Sequence, residues 1–146
     1  MVHVLAPKPA IPALPIFFNV DVAVGRNAPN TSTDDILLVQ YFLSLIGKHP
    51  RPGSTLTSLA AIPVTGRMNP ETIAGLEAVQ TLAGVTPDGR ASVAKGYKFG
   101  ANFYTIVNLN FSVRTRFRAQ WPNLEEMPDC PQHLNFAGRR ALAGTD

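Results

Sequence analysis

The sequence predicts a mostly α-helical fold: a small helical bundle, preceded by an extended N-terminal arm and followed by an irregular C-terminal tail. Three observations predict it. Two segments, 33–47 and 69–84, carry apolar residues at helical spacing between recognisable caps. Prolines punctuate the start of the chain at Pro7, Pro9, Pro12 and Pro15. The chain from Pro122 onward, with further prolines at 128 and 131, reads as a tail.

The length of 146 residues suits one domain with extensions. With 45% hydrophobic and 16% charged residues, the chain has material for a packed core and too little charge for a disordered one. Three parts follow: an arm and loop over 1–32, a helical domain over 33–121 and a tail over 122–146. The net charge of +3 favours an anionic partner. No Lys/Arg block is interleaved with aromatic residues, so nucleic acid is not expected. Cys130 is the single cysteine, which excludes an intrachain disulfide and suits a reducing compartment. Lys8, Pro12 and Pro15 interrupt the N-terminal apolar run, so it lacks the form of a signal peptide. Synthesis into the cytoplasm is expected. A later encounter outside would need lysis or a dedicated secretion machine. No apolar run reaches about 18 residues, so no membrane span is expected.

Along the chain, Leu5, Ile11, Leu14, Ile16, Phe17 and Phe18 make a fully solvated arm improbable; its second half is expected to lie on a surface. Val20–Val24 reads as a short strand before Gly25. The first helix begins near Thr33, capped by Ser32 or Thr33, with Asp34 and Asp35 at the positive end of its dipole and Gly47 as its stop. Residues 55–62 are weakly patterned. The second helix has Asn69 as cap, Pro70 in the first position and Glu71 in the first turn. Its stripe is Ile73, Leu76, Val79 and Leu82, and Gly84 stops it. Pro87-Asp88-Gly89 is a turn signal. Residues 90–103 read as a loop. Residues 104–121 fit a strand by their apolar odd positions, and equally a helix with Ile106, Leu109, Val113 and Phe117 on one face.

The run Asp35-Ile-Leu-Leu-Val-Gln-Tyr-Phe-Leu-Ser-Leu-Ile-Gly47, then Thr65-Gly66-Arg67-Met68-Asn69-Pro70-Glu71-Thr72, then Val79-Gln80 and Asp88-Gly89, resembles the peptidoglycan-binding-like domain in order and spacing. Thr105-Ile106-Val107-Asn108-Leu109-Asn110 is similar to the opening of that family's third helix and favours helix for this segment. The resemblance covers about 35–110 and implies a three-helix bundle built from two similar half-motifs. Thr65 stands where the family has Asp, and Val79 where it has an aromatic residue. Gly66 and Gly89 are expected to supply tight turns. Gln40 and Gln80, at matching places, are expected to satisfy backbone groups of a neighbouring loop.

The resemblance offers Arg67, Asp88 and Arg90 beside the turns as candidate ligand contacts. Lys48 and Arg51, in a basic loop with His49, are two more. Arg114, Arg116 and Arg118 form a second basic cluster. As a helix, it would place Arg114 and Arg118 on one face and Arg116 on another. The first helix is apolar on nearly all sides. Ile36, Val39, Phe42, Leu43 and Ile46 make a core face, while Leu37, Leu38, Tyr41 and Leu45 point elsewhere. A helix apolar all round is buried on more than one side. The covering element is either the chain's own arm or tail, or a partner, so these four residues are candidate interface residues.

Catalytic chemistry is not expected. Cys130 and His133 have no third orienting group. His3, His49 and His133 lack metal-ligand spacing, and no cofactor is implied. The function expected first is a non-catalytic module recognising cell-wall glycan or stem peptide. The alternative is a protein–protein adaptor or structural subunit of a phage particle or contractile secretion apparatus. The partner is then a peptidoglycan fragment, another protein or a second copy of the chain.

Overall fold

The computed structural model describes residues 1–6, 14–95 and 104–143. The element order is β1 (His3–Leu5), β2 (Phe17–Asn19), β3 (Val24–Gly25), α1 (Thr33–Lys48), α2 (Pro70–Ala83), β4 (Arg90–Ala91), α3 (Thr105–Arg116) and α4 (Gln132–Ala143). Two 3₁₀ turns, Thr57–Ala61 and Leu124–Glu126, lie between them. β1 pairs antiparallel with β2, Val4 opposite Phe18, and β3 pairs antiparallel with β4, Val24 opposite Ala91. Among the described residues this is a mixed α/β arrangement of four helices and two small sheets. It corrects the expected three-helix bundle with an extended arm and an irregular tail. The arm contributes strands, and the tail contributes the fourth helix. The residues 96–103, most of the loop read between the second and third helices, lie outside the described residues, as do Pro7, Lys8, Pro9, Ile11 and Pro12.

α1 organises the rest. Ser32 caps it, its Oγ accepting from the Asp35 N–H at 3.3 Å. Every residue from Asp35 to Gly47 is buried. Asp35 is more than a first-turn acid: its Oδ2 accepts from the backbone N–H groups of Asp21 and Val22 at 3.1 and 3.0 Å. Gly47 does not end the helix, which runs on to Lys48. A Cβ there would sit 2.1 Å from the Ala60 nitrogen, so glycine is needed for the Thr57–Ala61 turn to press against α1. α2 begins as read: Asn69 Oδ1 accepts from Thr72 N at 2.8 Å, Pro70 follows and Gly84 closes the helix.

The segment readable as strand or helix is α3. Its N-terminal half buries Ile106, Val107, Leu109 and Asn110, and Val113 continues the same face. Asn110 ties it to the arm. The side-chain amide donates to Phe18 O at 2.8 Å and its Oδ1 accepts from Phe18 N at 2.7 Å, occupying the free edge of β2. Asn19 makes a similar pair with Ala94, at 3.0 and 3.1 Å. The arm is thus hydrogen-bonded into the core rather than laid over it. Phe18, Phe42 and Trp121 complete the joint, with Phe18 edge-on to Trp121 at 5.6 Å and Trp121 6.2 Å from Phe42.

Candidate functional site

Two glutamines organise matching turns. Gln40 Oε1 accepts from Thr65 N and Gly66 N, both at 2.9 Å, while its amide donates to Arg67 O at 2.7 Å and Thr72 Oγ1 at 3.1 Å. Gln80 Oε1 accepts from Gly89 N at 2.9 Å, and its amide donates to Asp88 Oδ1, Arg90 O and Thr105 Oγ1. Gly66 and Gly89 sit at φ 78° and 68°, a region that L side chains rarely enter. Thr65 and Asp88 play one part: each side-chain oxygen accepts from the N–H two residues on, of Arg67 and Arg90. These turns are structural. Asp88 is occupied by the turn, and Arg90 is tied to Ser92 Oγ and Asn27 O. Arg67 is exposed, and its carbonyl is held by Gln40.

The hydrophobic interface candidates are placed differently from the expectation of a partner surface. Leu37, Leu38, Tyr41 and Leu45 are all buried within this chain. The second face of α1 is covered by the chain itself: Leu37 packs beneath Gly66, and the Tyr41 hydroxyl donates to Pro128 O in the tail. These four residues are therefore core.

A surface groove lies where the C-terminal ends of α1 and α2 meet α3. Its floor is Ile46, Leu56 and Val79. Leu82 and Phe111 stand on its rim, 64% and 44% exposed. Asn108, Ser112 and Thr115 line one wall, and Arg51 and Arg116 supply charge. The cavity volume is about 210 Å³. The sequence places Leu82 on the apolar stripe of α2, and helix phase explains its exposure. The stripe Ile73, Leu76, Val79, Leu82 advances three residues per step. At about 3.6 residues per turn it drifts around the helix, so Leu82 ends roughly opposite Ile73. Phe111 likewise belongs to the apolar set only under the strand period of two. As a helix residue it points away from Ile106, Leu109 and Val113.

The groove joins the two basic clusters. Arg51 comes from the loop after α1 and Arg116 from the last turn of α3. Arg116 is held in place: Nε donates to His49 O at 2.7 Å and Nη1 to Ser112 O at 2.9 Å. Burial, then the neighbouring Arg51 charge, pulls its pKa below the ordinary arginine value. Among the described residues no carboxylate pairs with either guanidinium, and no acidic residue lines the groove. The concavity along α2 differs, because there Arg26 is paired with Glu77. Lys48 is exposed at the end of α1, outside the groove lining. Of the five ligand-contact candidates, the groove thus contains Arg51 alone. α3 ends at Arg116, so the expected pairing of Arg114 with Arg118 on one helical face does not form.

Cys130 and His133 do not meet as a pair. Burial pushes the Cys130 thiol up to about 12, and the tail places it beside Tyr41. His133 Nε2 instead contacts Asp34, which also receives Arg140. Among the described residues no group of three His, Cys, Asp or Glu side chains could hold a metal ion, and no helix is long and apolar enough to cross a membrane.

Comparison of the chain with family models, with curated proteins and with solved structures finds no match. No family model or relative thus supports the resemblance to peptidoglycan-binding domains. The four helices and two small sheets among the described residues overturn it as an assignment.

Proposed function

We propose that the protein is a non-catalytic binding module, an adaptor that docks an acidic, apolar segment of a partner protein in the groove between α1, α2 and α3. The observation that carries this reading is the pair of guanidiniums, Arg51 and Arg116, unmatched by any acid among the described residues at the edge of an apolar floor. A partly desolvated cation without a counter-ion is costly, and an incoming carboxylate offsets that cost. Leu82 and Phe111 are exposed in the free protein; covering them contributes at most about 1.5–3 kcal/mol each. Apolar anchors beside charges that fix orientation are the usual composition of a peptide-docking site.

The cell-wall reading has lost its supporting resemblance, and two of its candidate contacts, Asp88 and Arg90, are engaged in turn structure. A random-peptide display selection on the full chain tests the proposal, with the Leu82→Glu variant as counter-screen. Selected peptides should combine Asp, Glu or a terminal carboxylate with a large apolar residue, and should lose binding to the variant. Peptides without acid, or binding indifferent to Leu82→Glu, would overturn it. So would retention on insoluble peptidoglycan that Leu82→Glu leaves intact.

A further inference from the structure

We propose that the groove recognises a free chain terminus: the α-carboxylate of a partner's last residue lies between Arg51 and Arg116, with an apolar terminal side chain on the floor of Ile46, Leu56 and Val79. This rests on the binding-module reading and names its ligand.

Four features point to a terminus rather than an internal acidic residue. The first is the adjacency of cations and apolar floor within one small cavity. A C-terminal residue carries its carboxylate and its side chain on the same carbon, so one residue satisfies both. An internal Asp or Glu uses its side chain for the charge and needs a different residue for the floor. The second is size. At about 210 Å³ the groove is below the roughly 300–1,000 Å³ of small-molecule sites, which suits a chain end rather than a whole metabolite or a long acyl chain.

The third is the guanidinium geometry. A guanidinium has five N–H donors in a fixed plane. His49 O and Ser112 O take one each from Nε and Nη1 of Arg116. That fixes the plane and leaves Nη2 free to bind an anion. The Arg51 side chain makes no hydrogen bond or ion pair among the described residues, so it can close from the other side. The fourth is the polar wall. Asn108, Ser112 and Thr115 fall at i, i+4 and i+7 of α3, a row about 10 Å long at 1.5 Å per residue. Extended peptide rises about 3.3 Å per residue, so the row matches some three residues. The Asn108 amide can donate to peptide carbonyls. The Thr115 hydroxyl donates to Phe111 O at 2.6 Å, which leaves its oxygen to accept from a peptide N–H.

The test is fluorescence anisotropy on the full chain with fluorescein-labelled hexapeptides that carry one internal Glu and end in Leu, Ile, Val or Phe, each as the free acid and as the C-terminal amide. At least one free acid should bind, more weakly as salt rises, and its amide should bind about tenfold more weakly or worse. Arg51→Gln should weaken the acid by a similar factor and leave the amide unchanged, while Arg51→Lys recovers part of the loss. The Arg51 side chain makes no bond among the described residues, so these variants should fold as the parent does; Arg116→Gln removes two bonds and is the less clean probe. Leu82→Glu should abolish both forms. Equal binding of acid and amide, both lost in Leu82→Glu, overturns the terminal-carboxylate inference and leaves peptide docking standing. No binding by any peptide, or binding indifferent to both Arg51→Gln and Leu82→Glu, overturns the two together.

Discussion

At the scale of single residues, buried polar groups divide the labour between turns and core. Gln40 satisfies two N–H groups and a carbonyl of one loop. Gln40→Leu keeps the volume and orphans them, and each buried orphan costs about 1–3 kcal/mol. The variant should therefore lose about 3 kcal/mol in urea unfolding; a loss well under 1 kcal/mol would mean that the loop finds water instead. Tyr41 and Cys130 make a second residue-scale prediction. Burial raises both pKa values, the thiol's to about 12. In each case the folded chain favours the protonated form. Stability from this pair is thus full below the unfolded-state values of 9.0 and 10.0 and is lost as pH rises through and above them. The melting temperature should fall from about pH 9 upward, and less steeply in Tyr41→Phe. In the native protein at pH 8, Cys130 should alkylate far more slowly with iodoacetamide than in urea. Equal rates in the two would contradict the burial.

At the scale of elements, local signals were legible and tertiary ones were not. Ser32, Asn69, Pro70 and Gly84 mark helix ends through hydrogen bonds and backbone angles formed within a few residues, so the sequence reveals them. Gly47 looked like a stop of the same kind. Its real reason is a neighbour distant in sequence, the turn at Thr57–Ala61. The two-residue strands β3 and β4 are too short to carry a period. α3 fits both periods, and its Asn110 decides nothing until β2 is placed against it. The candidate groove was half legible. Both basic clusters stood out, but their meeting depends on α3 being a helix that ends at Arg116. Leu82 and Phe111 were assigned to apolar sets whose phase fails on a real helix. This predicts a contrast within α2: Val79→Ala should cost about 1–3 kcal/mol, whereas Leu82→Ser should leave thermal stability within about 0.5 kcal/mol of the parent. Comparable losses at both positions would place Leu82 in the core. Asn110→Leu belongs at this scale too. It strips β2 of its edge partner, and amide exchange at Phe18 should accelerate while α2 amides stay protected.

For the molecule as a whole, the surplus of apolar residues on α1 was readable, but what covers it was not. Burial within a chain and burial between chains leave the same pattern in a sequence, because both require only that water be excluded. The structure assigns that role to the two ends of the chain: the arm through β2, and the tail through α4 and the Leu124–Glu126 turn. The tail carries a specific share. Leu124, Met127, Leu134, Ala137 and Ala141 are buried, Tyr41 donates to Pro128 O, and His133 and Arg140 gather at Asp34 near the start of α1. Removing the chain after Asn123 should therefore do more than trim a surface helix. It uncovers the part of α1 that α4 covers, and it orphans the Tyr41 hydroxyl. The truncated protein should keep most of its far-UV helical signal, lose the near-UV signal of Trp121 and the tyrosines, and bind an apolar dye, the signature of a collapsed chain without fixed packing. Supplying residues 124–143 as a separate peptide should restore part of the near-UV signal, because the lost contacts are complementary surfaces rather than covalent ties. A truncated chain that unfolds as sharply as the parent, with its aromatic signal unchanged, would show that the tail is dispensable and that the second face of α1 is a surface open to partners after all.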